Sequence, residues 1–300
     1  MRFELTDDQR AFASSLDHLL GDADAGGIAR AWADGDPAPG LKLWARLAEQ
    51  GVSSLAVKDS GASPVDLAVA FERLGWWAVP GPWVESAAYL PVALAADNSE
   101  TIGTVAVPPH VPHALDADIS QHVFLVREDK LYHAGVGMAH RSVDGTRNLF
   151  DVSPDDQVGA GDLAYAFDLA VLATSAQLLG CGERLLADSV EYAKQRRQFG
   201  REIGSYQAVK HALADVRIAL DFARPLVHGA AVAPSARDVS AAKVAAGDAA
   251  YLASRVALQV HGAIGYTREY DLSLWITKVR ALVGAWGTPS FHRRRVLESL

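Results

Sequence analysis

The sequence predicts a mainly α-helical protein in three parts: an N-terminal helical region, a small β region and a C-terminal helical bundle. Three observations predict it. Apolar residues recur at helical spacing in the first and last thirds, alanine is dense from Ala230 to Ala257, and strand-like patterning is confined to the middle. The expected boundaries are 1–100, 101–158 and 159–300.

Thr6 and Gln9 have the spacing of a capping box and open a helix through Phe12, Leu16 and Leu19-Leu20. Gly21 to Gly40, with Gly26-Gly27, Pro37 and Pro39, reads as loop-rich. Leu41 to Gln50 is a short amphipathic helix stopped by Gly51, and Val65 to Leu74 is another, with Ser63 as N-cap and Pro64 at the first helical position. Pro80-Gly81-Pro82 forces a break before a helical pattern from Val84 to Ala96. Ile102 to Val107 looks like a strand. Val123–Val126 and Lys130–His133 flank the turn Glu128-Asp129 as a hairpin, and Asp144-Gly145 marks a further turn. From about Ala164, Val171-Leu172, Leu178-Leu179 and Leu185-Leu186 recur every seven residues. Val209, Leu213, Val216 and Leu220 form a second stripe that Pro225 should kink or end. Val239 to Val260 and Leu272 to Val283 complete a bundle.

Composition narrows the class. With 300 residues, 50% hydrophobic and 21% charged, the chain can bury a full core without disulfides. One cysteine, Cys181, precludes an internal disulfide and suits a reducing cytoplasm, the expected location. A net charge of −8 argues against nucleic-acid binding, and no apolar run is long enough to suggest a membrane partner. Five of the ten histidines fall in the β region, and His110-x-x-His113 has a spacing that metals use. The interleaved Pro109 and Pro112 favour surface-loop histidines, so no metal is expected.

Two segments stand out. Tyr192 to Gln207, containing Arg196, Phe199 and Gly200, ends one bundle helix and begins the next. Its cations suit a helix C-terminus, and equally an Arg fork for phosphate beside an aromatic for a planar ring. Gln259-Val-His261-Gly262-Ala263-Ile-Gly265-Tyr266 closes the third bundle helix, either as a tight turn or as a place where a ligand meets the backbone closely.

Together Arg196-x-x-Phe199-Gly200 with Gln207, then Gln259-x-x-Gly262-Ala263-x-Gly265-Tyr266, resemble the acyl-CoA dehydrogenase family in order and spacing. Leu47-Ala-Glu-Gln-Gly51 and Phe71-Glu-Arg-Leu-Gly75 before Pro80-Gly81-Pro82 resemble its N-terminal domain. The resemblance implies a helical domain, a β domain and a four-helix bundle. It also implies FAD as cofactor and α,β-desaturation of an acyl-CoA thioester, with a carboxylate taking the α-proton. An electron-transfer flavoprotein or similar acceptor would receive the electrons. Arg196, Phe199 and Gln207 would contact FAD, and Gln259, Gly262 and Ala263 would line its adenine side.

The departures are informative. The commonest base in the family is a Glu in Tyr-Glu-Gly-Thr, and Trp286 occupies that position here. In another branch the base lies at the position of Ala170; Asp168, two residues earlier, is a weak substitute on a different side of a helix. The β region also lacks the family's flavin-cradling stretches. Asp144-x-Thr146-Arg147 and Gly287-x-Pro289-x-x-His292-Arg293 resemble a subgroup of short subunits that pair with a full-length subunit in α2β2 heterotetramers, several of them in bacterial steroid breakdown. The expected function is therefore one subunit of such a dehydrogenase, with the partner supplying the catalytic Glu. The alternatives are a non-catalytic structural subunit, or a protein repurposed in secondary metabolism. Arg293-Arg294-Arg295 reads as a solvated helix end or as a partner for a CoA phosphate.

Overall fold

A computed structural model describes residues 4–267 and 270–300. The N-terminal helices are α1 (Asp7–Asp22), α2 (Ala25–Ala33), α3 (Ala38–Glu49) and α4 (Pro64–Trp76). Two start on capping boxes: Thr6 Oγ1 accepts from the Gln9 amide at 3.2 Å, and Ser63 with Asp66 repeats the arrangement on α4. Helix α2 corrects the expected loop. The Asp24 side chain caps it through the Gly27 amide, a Cβ at Gly27 would overlap that carboxylate, and Ala29 and Trp32 bury its apolar face. After Gly81 (φ +106) the chain forms a π-helical stretch, Val84–Tyr89, and the short α5 (Leu90–Ala93).

The β region is one five-stranded sheet in the order β1-β3-β4-β5-β2, built from β1 (Gly103–Ala106), β2 (Ala114–Leu115), β3 (His122–Arg127), β4 (Lys130–Arg141) and β5 (Asn148–Val158). The expected hairpin joins β3 to β4. Arg127 pairs with Lys130, and Glu128 and Asp129 both take the positive φ of a primed turn. Strand β5, with Pro154 and its run of acids, carried no period-2 signal; it forms by pairing along β4.

The bundle consists of α6 (Leu163–Gln195), α7 (Gln207–Val232), α8 (Ala236–His261) and α9 (Leu272–Gly284), followed by α10 (Pro289–Leu297). Helix α6 has the length and apolarity to cross a membrane, but 78% of its most apolar stretch is buried by the chain's own elements, as in a core helix. Its predicted stripe is buried, as are Ala242, Ala246, Ala250 and Ala253 along α8. Of the two outcomes expected at Pro225, a kink or an end, the structure excludes the end: α7 runs on to Val232, its last turns held by the burial of Val227, Ala230 and Ala231. Helices α4 and α6 touch backbone to backbone, since a Cβ at Gly180 would overlap the Glu72 carbonyl and one at Gly75 the Gln177 carbonyl. Cys181 is buried there and donates to Gly75 O, as does Trp275 Nε1 at 3.2 Å.

Candidate functional site

Helices α6 and α8 end beside each other, joined by the stacked rings of Tyr192 and His261, whose centroids are 4.2 Å apart. That contact brings the two singled-out segments to one end of the bundle. After α6, Arg197-Gln198 (β6) pairs with Arg201-Glu202 (β7), and the turn between them is Phe199-Gly200 with φ +53 and +81. The turn lifts the Phe199 ring clear of the protein, leaving it 92% exposed. Arg196 stands just before this hairpin and Gln207 opens α7, both exposed. Gln259, Gly262 and Ala263 line an open cleft of about 470 Å³ with Arg255, Leu258 and Tyr266. Gly262 has φ +64 and open space where a Cβ would project. The side chains of Arg196, Gln207 and Gln259 make no hydrogen bond or ion pair among the described residues. A free guanidinium, two free carboxamides and a glycine turn suit a phosphate-bearing ligand with a polar ring.

The two positions expected to carry a base are built differently. Trp286 is 1% exposed with φ +55, packed against Tyr89 (5.1 Å between centroids) and edge-on to Phe167 (5.8 Å). Its Nε1 donates to Glu85 Oε1 at 3.3 Å. Burial pushes the Glu85 carboxyl above the ordinary carboxylate range, against the charge of Arg147. Glu85 went unnoticed in the sequence because its stretch, Val84 to Tyr89, is otherwise apolar or small.

The motif Gly287-x-Pro289-x-x-His292 fixes this tryptophan. A Cβ at Gly287 (φ +106) would come within 2.6 Å of His292 Nε2, and that nitrogen donates to Trp286 O at 2.9 Å. Its other nitrogen accepts from Ser240 Oγ at 3.1 Å. Burial, helped by Lys243, lowers the His292 pKa to about 3, so the ring is neutral. Asp144 and Thr146 are buried anchors as well, bound to Lys278 of α9 at 3.3 and 3.0 Å.

Ala170 is fully buried on α6 and offers no functional group. Asp168 is not free: Arg295 of α10 holds its carboxylate at 2.6 Å. The arginine tail is thus partly structural, with Arg293 also 2.9 Å from Asp248.

Against known proteins, the family model "Acyl-CoA dehydrogenase, C-terminal domain" matches residues 159–300. The chain is also 30% identical over 270 residues, 85% of this chain and 86% of the relative, to acyl-CoA dehydrogenase IpdE2 of Mycolicibacterium smegmatis. The chain belongs to the acyl-CoA dehydrogenase family. Its fold agrees with solved acyl-CoA dehydrogenase structures. The ChsE4–ChsE5 complex from Mycobacterium tuberculosis aligns with a TM-score of 0.86 at 20% identity, over 100% of this chain and 98% of that one. The Tcur3481–Tcur3483 steroid ACAD gives 0.81 at 19% identity, over 97% of each chain. In this chain Arg196, Phe199, Gln207 and Gln259 are exposed at the bundle end, and Trp286 is a buried indole.

Proposed function

We propose that the chain is one subunit of an FAD-dependent acyl-CoA dehydrogenase acting on a steroid-derived or other bulky acyl-CoA in the cytoplasm. It supplies part of the FAD site, while a full-length partner in an α2β2 heterotetramer supplies the catalytic Glu. The observation that carries this reading is the contrast between Trp286, sealed at 1% exposure where a base is expected, and Arg196, Gln207 and Gln259, exposed without polar partners among the described residues. Relatives and neighbours support it, since two of the similar structures bear the names of two components and one is called a steroid enzyme.

When bound, FAD supplies the acceptor for the hydride removed from the acyl chain, and an electron-transfer flavoprotein or similar acceptor takes the electrons onward. Arg196 would pair with the diphosphate, Phe199 would cover an apolar face, and Gln207 would hydrogen-bond a polar edge. Gln259, Gly262 and Ala263 would admit the adenosine end close to the backbone. Trp286, packed against Tyr89 and Phe167, would leave no base at that position in this chain.

Co-expression with a full-length homologue should give a yellow complex, and the chain alone should bind little flavin. Losing one charge-assisted contact of about 1.5–3 kcal/mol, Arg196→Ala should lower flavin affinity of the complex roughly tenfold to a hundredfold. Unchanged flavin content and rate would favour a purely structural subunit. Stoichiometric FAD with turnover by the isolated chain would overturn the division of labour.

A further inference from the structure

The sheet gathers a group of residues that the flavin-side reading leaves unused. His110 and His113, paired in the sequence, part company: the His110 ring lies 3.9 Å from Phe291, while His113 turns toward β4 and β5. Register explains the meeting. Ala114 of β2 pairs with Phe150 of β5, so His113 falls across from Asp151. His140 of β4 pairs with Leu149, and Leu149 and Asp151, two apart on one strand, share a face. Between Val136 and Ala139 the β4–β5 register shifts by one residue, setting two residues of β4 against Asp151. Gly137 lies in that bulge, where a Cβ would meet the Asp151 backbone oxygen at 3.2 Å. The three side chains therefore emerge on the face opposite Ala114 and Phe150.

Their ligand atoms converge. His113 Nδ1 and His140 Nε2 lie 3.1 and 2.9 Å from the same oxygen, Asp151 Oδ1, and all three atoms fall within 4.8 Å of one another. Both nitrogens are shielded from solvent and have no other polar partner among the described residues. Ligand atoms around a tetrahedral zinc ion stand about 3.4 Å apart for bonds of about 2.1 Å, within reach of small side-chain rotations here. The side chains keep 32%, 35% and 47% of their surface, so water can complete the coordination.

We propose that His113, His140 and Asp151 form a binding site for a first-row divalent metal ion of the zinc type. Two imidazoles and one carboxylate are a donor set for Zn²⁺ and its borderline neighbours rather than for Mg²⁺ or Ca²⁺. The ion would tie β2, β4 and β5 together at one end of the sheet.

The full chain, stripped with EDTA, is titrated with Zn²⁺ by calorimetry and with Co²⁺ by visible absorption. One equivalent should bind, with a rise in Tm and a tetrahedral Co²⁺ band. His140→Ala and Asp151→Asn should each weaken binding about tenfold or more, whereas His110→Ala should not. A second measurement needs no substitution: bound Zn²⁺ should protect His113 and His140 from diethyl pyrocarbonate, read by mass spectrometry, and leave exposed His133 reactive. Absence of stoichiometric binding, binding undiminished in the variants, or no protection of His113 and His140 would each overturn the proposal and leave a carboxylate bridging two imidazoles.

Discussion

Asp116 shows how one buried carboxylate sets a pH dependence. It accepts from the Asn148 amide at 3.1 Å and from Trp32 Nε1 at 3.5 Å, joining the sheet to α2. Burial still raises its pKa from 3.8 to about 7. The native state therefore holds a proton between pH 4 and 7 that the unfolded chain releases, so this contribution is complete below about pH 4 and lost as pH rises through 7. The full effect is on the order of 4 kcal/mol. Asp116 has φ +49, which Asn also tolerates. Asp116→Asn should remove this slope, and urea melts across pH 4–8 should show the variant gaining on the wild type as pH rises. Trp286→Ala is expected to cost about 3–5 kcal/mol in the same melts, because it empties an aromatic cluster and strips Glu85 of its donor. None of that environment was legible in the sequence, where Trp286 was only a residue in the wrong place. Its partners Glu85, Tyr89 and Phe167 lie more than a hundred residues away.

Among the elements, those set by near neighbours were readable. The Thr6 capping box, the Ser63 N-cap, the Glu128-Asp129 hairpin and the stripe on α6 follow from contacts within a few residues or from one uninterrupted period. Where tertiary packing overrode a local signal, the reading failed. Gly26-Gly27 and Pro225 signal breaks, yet the burial of Trp32 and Val227 holds both segments helical. The site divides the same way: Arg196, Phe199 and Gln259 came from spacing along the chain, whereas His113, His140 and Asp151 meet only through the register of three strands. At the α4–α6 crossing, Gly75 stood in a quoted motif, but Gly180 had no sequence signal. Gly180→Ala should cost about 3 kcal/mol or more, because the added methyl meets the Glu72 carbonyl and not a side chain that can swing aside. A fall in Tm with unchanged far-ultraviolet helicity would register it.

At the scale of the molecule, the N-terminal helices and the bundle are bound by ions as well as by packing. Arg224 of α7 reaches Glu72 of α4 at 2.9 Å and Glu183 of α6 at 2.7 Å, and Arg217 also pairs with Glu183. Burial alone would raise the Glu72 pKa, but His228, Arg224 and Arg73 hold it at about 2. Arg224→Met should cost about 1.5–3 kcal/mol, since it removes charge-assisted contacts to two carboxylates that keep Arg73 and Arg217 as partners. The chain should still melt in one transition, because the glycine crossing keeps α4 and α6 together. Trp44 and Trp83 provide a way to watch this. Their rings lie nearly parallel with centroids 3.6 Å apart, entirely within the N-terminal part. Indoles so close share their electronic excitation, so the folded chain should carry a paired positive and negative band in its circular dichroism. That couplet is a built-in clock for the N-terminal helices, and its decay can be timed against the helical signal that the bundle dominates.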